Sequence, residues 1–191
     1  MKKWHMIIGL PKTGSSWLGD VIAKSNNSHY FREFFNPWTW KHNNLSLSNK
    51  LSEAFGYEEK TIHIAKPWQE NLKIEEVFDK TWLFPKDKKI IDKEVWSFCN
   101  IEFFCKNFNI SIIHRKPELI FWGDGQNKNQ DAFLFYKSIY NSFIQNINFY
   151  EEKDILPLKN ARTILDQCLA AHSLATKILF QQAEEFDIPI L

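Results

Sequence analysis

"MIIGLPKTGSSWLGDVIA", Met6 to Ala23, runs from an apolar strand through a turn of Pro, Lys and Gly into an amphipathic helix. That order aims backbone N–H groups and the positive end of the helix dipole at one spot, which suits an anion. Thr13, Ser15 and Ser16 add hydroxyl donors, Gly14 permits close backbone approach, and Lys12 adds a mobile point charge. A triphosphate loop of the Walker type would read G-x-x-x-x-G-K-[ST]. Gly9 and Gly14 keep that separation, but Ser15 follows Gly14 and the lysine lies inside the loop. The alternative is a tight strand-to-helix turn with no ligand.

Around this stretch the chain reads as one α/β domain. Its 191 residues suffice for a single core and are few for two. With 24 basic and 23 acidic residues the net charge is +1, so no global field favours nucleic acid, and anion binding must be local. No apolar run reaches the roughly 18 to 20 residues of a membrane span. "MKKWHMIIGL" lacks the long apolar segment and cleavage site of a signal peptide and reads as a first strand. Cys99, Cys105 and Cys168 show no paired metal spacing and are expected as free thiols in a reducing, cytoplasmic setting. The 17 Phe and 8 Trp fit either core packing or a surface for stacking sugars and bases.

Strands are expected at Trp4–Gly9, His29–Glu33, Thr61–Ala65, Lys89–Lys93, Ile110–Arg115 and Ile188–Leu191, alternating with helices in the manner of a largely parallel sheet. A helix over Thr13–Lys24 would bury Trp17, Leu18, Val21 and Ile22, and one over Val95–Phe108 would bury Phe98, Ile101, Phe104 and Cys105. Longer periodic segments cover about Asp131–Asn148 and Asn160–Glu185, and "NNLSLSN", Asn43–Asn49, reads as a surface loop.

"PKTGSSWL", Pro11 to Leu18, resembles the loop of sulfotransferases that use 3′-phosphoadenosine 5′-phosphosulfate (PAPS), P-[KR]-[ST]-G-[ST]-[ST]-W-L, at eight consecutive positions. The resemblance implies a three-layer α/β/α domain with a mostly parallel central sheet, P-loop NTPase-like, over residues 1–191. It also implies PAPS as donor, no metal, and a hydroxyl acceptor. Lys12 would stabilise the departing phosphate, with Pro11, Thr13, Gly14, Ser15, Ser16 and Trp17 forming the cradle. "HYFREFFNP" resembles the second strand of the carbohydrate and bacterial branch, which makes a sugar the expected acceptor and Glu33 the expected general base. "KIIDKEVW…ISIIHRKPE" resembles the strands that follow, with Arg115 on the donor's 3′-phosphate.

The pattern is not complete. A serine that usually follows the arginine by eight positions is Gly123 here, within the polar loop "FWGDGQNKNQD". The family's RYEDL-like element and its C-terminal R-K-G-x-x-G-D-W loop have no counterpart, so the chain is expected to be a naturally short form or the first part of a longer enzyme.

Other residues carry alternatives. Glu33 could instead pair with Arg32 at the surface, and Arg115 could form an ordinary strand-end ion pair. His63 in "TIHIAKPW" is the alternative base, or else a structural histidine in an apolar strand. Lys93 and Glu94 either orient the acceptor or form a charge pair at a helix start. Trp38, Trp40, Trp68 and Trp122 either stack on the acceptor or pack. Two other functions fit the loop: a nucleotide-binding module without transfer activity, and a small P-loop kinase, against which the missing lysine after Gly14 counts.

Overall fold

The computed structural model describes residues 4–36, 39, 41–55, 89–95, 98, 101–106, 108–121 and 130–191. The strand expected at Thr61–Ala65, with His63, lies outside them. So do Cys99, Trp38, Trp40, Trp68, Trp122 and Gly123.

Apolar runs covered on both faces form parallel strands. The sheet has four strands, of which β1 is the most apolar: β1 (Trp4–Gly9), β2 (His29–Arg32), β3 (Ile90–Glu94) and β4 (Asn109–Ile113). Every neighbouring pair is parallel, in the order β2-β3-β1-β4. The central β1 sets Met6 opposite both Asp92 and Ile110, and Ile8 opposite both Glu94 and Ile112. The last expected strand is a single parallel bridge, Ile112 to Ile190, in which the Ile112 N–H donates to Pro189 O at 2.9 Å and the Leu191 N–H to Ile112 O at 2.7 Å.

The helices are α1 (Ser15–Ser25), α2 (Leu45–Phe55), α3 (Ile101–Cys105), α4 (Pro117–Phe121), α5 (Gln130–Gln145), α6 (Glu152–Asn160) and α7 (Ile164–Glu185). Alternation along β1 divides the core. Ile7 packs with Ala23 of α1 and Ile91, with Leu18 and Ile22 alongside, while Met6, Ile8 and Leu10 face a larger cluster. That cluster holds Ala132, Tyr136, Ile139 and Phe143 of α5, at helical spacing, against Ala171, Ala175 and Leu179 of α7. α7 starts with a capping box in which Thr163 and Asp166 exchange side-chain and backbone bonds. No helix among the described residues is long and apolar enough to cross a membrane.

Three expectations are corrected. α1 buries Ser15, Gly19 and Ala23, whereas Trp17 and Val21 are 70% and 42% exposed. Small residues let α1 approach the sheet, so its covered stripe is narrower than hydrophobicity suggests. Asn43–Asn49 is not a loop: the Asn44 side chain accepts from the Leu47 N–H at 3.1 Å and starts α2, which buries Leu47 and Leu51 one turn apart. Val95–Phe108 is not one helix, because β3 runs to Glu94 and the described helix begins at Ile101. Phe98, Ile101 and Phe104 are nonetheless buried as expected, with Cys105 partly exposed.

Candidate functional site

The β1–α1 loop is held from inside. The Leu10 carbonyl accepts both the Thr13 N–H (3.3 Å) and the Thr13 hydroxyl (2.8 Å). Thr13 is buried, so its hydroxyl, expected to donate to an anion, serves the turn instead. Gly14 caps α1 with φ 94°, a left-handed conformation that favours glycine, and no side chain caps the helix. Helix geometry therefore leaves the Ser15, Ser16 and Trp17 amides without partners inside α1. The Tyr30 hydroxyl donates to Ser16 O at 2.9 Å and anchors this first turn to β2. Gly9 is required by space: a Cβ there would lie 2.6 Å from both Ile113 Cγ2 and Thr13 Oγ1.

A cavity of about 560 Å³ opens in front of the loop, lined on one side by Pro11, Lys12, Gly14, Ser15, Ser16 and Trp17. Glu33, Asn36, Lys93 and Val95 line it from the ends of β2 and β3, and Arg115 and Phe135 complete it. The volume is that of a small-ligand site, and the cavity lies outside the carboxyl ends of parallel strands, where α/β sheets bind ligands. The cavity thus brings together the expected residues Pro11, Lys12, Gly14, Ser15, Ser16, Trp17, Glu33 and Arg115.

Glu33 does not pair with Arg32. Its Oε1 accepts from the Lys93 ammonium and its Oε2 from Asn36 Nδ2 at 2.8 Å, while the Arg32 guanidinium lies 5.7 Å from the Tyr30 ring centre. Arg115 makes no ion pair among the described residues and faces the cavity, contrary to the strand-end alternative. Lys12 Nζ lies 3.2 Å from Asp131 Oδ2 and 5.8 Å from the Phe135 ring centre, both on α5. Lys93 and Glu94 are strand residues, not a helix start.

Backbone strain marks two of these residues. Lys12 (φ 67°) and Glu33 (φ 61°) are left-handed without being glycine. Asn27 and Asp187 share that conformation just beyond the ends of α1 and α7, where it is common. Neither Lys12 nor Glu33 follows a helix, so their surroundings must impose it. Behind Lys12, the buried Tyr136 hydroxyl donates to Pro11 O at 3.1 Å. The Tyr136 ring sits 5.3 Å from that of the buried His172, whose ring lies 6.1 Å from that of His114, next to Arg115 in the chain. Burial pushes His172 down to about 4, with the neighbouring His114 adding to the shift.

Behind Glu33 lie Asp92 and Glu94, both fully buried. Asp92 Oδ1 accepts from the Phe34 N–H at 3.2 Å and Glu94 Oε1 from the Phe35 N–H at 2.7 Å. Burial raises Asp92 to about 7 and Glu94 well above the ordinary carboxylate range, with the Asp92 charge adding to the second. Asp92, Tyr136, Asp131 and His172 escaped the sequence reading; the signal for the first was a pair of acids flanking a lysine between apolar residues, "IIDKEV".

Comparison of the chain with protein-family models, with curated proteins and with solved structures finds no match in any of the three.

Proposed function

We propose that the chain is a PAPS-dependent sulfotransferase acting on a hydroxyl, preferably of a carbohydrate, on a three-layer α/β/α frame of the P-loop NTPase kind. One observation carries the reading. A single cavity joins a lysine inside the loop, the uncapped start of α1, a carboxylate and an arginine. In this reading the free amides of α1 and the Ser15 and Ser16 hydroxyls hold the donor's 5′-phosphate, and Arg115 its 3′-phosphate. The bound donor supplies an activated sulfuryl group. Glu33 takes the proton of the acceptor hydroxyl as its oxygen attacks sulfur, and Lys12 neutralises the phosphate oxygen that receives the electron pair of the breaking S–O bond. Lys12 must leave Asp131 to do so, which costs little at an exposed pair.

The pairing of Glu33 with Lys93 favours a second reading, a nucleotide-binding module without transfer, because Lys93 and Asn36 already engage both carboxylate oxygens. The kinase reading finds less support. Asp92 and Glu94, acids on the strand beside β1, direct oxygens to the Phe34 and Phe35 amides and do not line the cavity. The test is transfer of labelled sulfuryl from PAPS to a panel of oligosaccharides. Lys12→Ala is expected to lose transfer by about a hundredfold or more; transfer at the wild-type rate in that variant would overturn the proposal.

A further inference from the structure

The turn after β2 is gripped from both faces of β3. Side chains alternate along a strand, so Lys93 shares a face with Ile91, which packs under α1, while Asp92 and Glu94 point the opposite way. Lys93 takes the Glu33 carboxylate on the first face. On the second, Asp92 and Glu94 accept the next two backbone N–H groups, those of Phe34 and Phe35. The Glu33 N–H donates to Lys93 O at 2.7 Å, so three consecutive amides of the turn are bound to three consecutive residues of β3. Between these bonds Glu33 is held at φ 61° with its carboxylate in the cavity.

We propose that Asp92 and Glu94 are positioning residues for Glu33, fixing the strained turn that sets its carboxylate against the acceptor hydroxyl. The proposal rests on the reading of Glu33 as the proton acceptor. Two fully buried carboxyls are a costly way to bind two amides if packing were the only purpose, since apolar side chains of similar size would fill the space without desolvating charge. Asp92 Oδ2 has no hydrogen-bond partner unless the adjoining Glu94 carboxyl carries a proton and donates it to Asp92. One shared proton meets this need and lowers the charge buried beneath the turn.

The experiment compares Glu94→Leu, which removes the acceptor, with Glu94→Gln and Asp92→Asn, which keep an oxygen. Three quantities are read: hydrogen exchange at the Phe34 and Phe35 amides, affinity for 3′-phosphoadenosine 5′-phosphate (PAP), and kcat with PAPS and the best oligosaccharide of the acceptor panel. Glu94→Leu is expected to speed exchange at both amides by at least about tenfold and to lower kcat by a similar factor, with PAP affinity held within about twofold. Glu94→Gln is expected to recover most of both losses. Unchanged exchange at Phe34 and Phe35 in Glu94→Leu would overturn the proposal, as would kcat and PAP affinity falling together. If Glu94→Leu does not fold, the amide-keeping pair decides: wild-type exchange and kcat in Glu94→Gln and Asp92→Asn support the clamp, and loss of both overturns it. The exchange measurement needs no turnover. A wild-type chain that transfers nothing therefore removes the role of Glu33, and with it the positioning role, while the two amide bonds are scored separately.

Discussion

The Glu33 carboxylate is ion-paired with the Lys93 ammonium, and the same two residues are joined through the Glu33 N–H and the Lys93 carbonyl. Their exposures differ: the Lys93 side chain is 7% exposed and that of Glu33 23%. Losing the anion would therefore strand a buried cation, whereas losing the cation would leave a carboxylate that water can still reach. Glu33→Gln is expected to lower the unfolding free energy by about 3 kcal/mol and Lys93→Met by less, as chemical denaturation would measure. Equal losses would mean that the two charges are solvated alike.

Tyr136 ties α5 to the loop through Pro11 O, next to the strained Lys12. Tyr136→Phe keeps the ring among Phe121 and His172 and removes only the donor. The expected cost is about 1 to 2 kcal/mol of stability. PAP affinity should fall several-fold as Lys12 relaxes, and titration calorimetry of the variant would measure that fall.

Asp131 pairs with Lys12, but its side chain is 70% exposed. Asp131→Asn should change stability by no more than about 0.5 kcal/mol. It should leave PAP affinity equal or slightly raised, because a competing anion is gone. A marked fall in affinity would show that Asp131 supports the ligand rather than competing with it.

Much of the four-stranded sheet was legible because β1 and most of β4 are apolar runs, and β1 begins and ends where expected. The loop was legible because Gly, hydroxyl residues and Lys crowd one strand-to-helix turn. What escaped depended on tertiary partners. The expected strand stopped at Lys93, because an acid such as Glu94 argues against burial by hydropathy, yet its bond to the Phe35 amide carries it into β3. Asn44 turned a polar stretch into a helix start through one local bond. The roles of Tyr136 and His172 arise from contacts more than 50 residues away along the chain, with Pro11 and His114, which no local pattern encodes.

Two buried groups act oppositely on acid stability. The Asp92–Glu94 pair keeps protons in the fold that the unfolded carboxyls release, Asp92 being raised from 3.8 to about 7, so the pair contributes stability below pH 3.8 that is lost as pH rises to about 7. His172 falls from 6.5 to about 4, so its contribution is present above pH 6.5 and lost as pH drops towards 4. His172→Phe should therefore lessen the loss of stability on acidification from pH 6.5 to 4, and Asp92→Asn the loss on going from pH 4 to 7. Denaturant midpoints followed across pH 4 to 7 for the two variants check both signs.

Titration calorimetry of PAP against ADP and ATP with Mg²⁺, on the wild-type chain and on Lys12→Ala, tests most directly whether the cavity is built for a phosphosulfate donor. PAP is expected to bind at least about tenfold more tightly than ADP or ATP and to lose about tenfold or more in Lys12→Ala. Equal or tighter binding of ATP with Mg²⁺, or PAP binding that ignores Lys12, would contradict it.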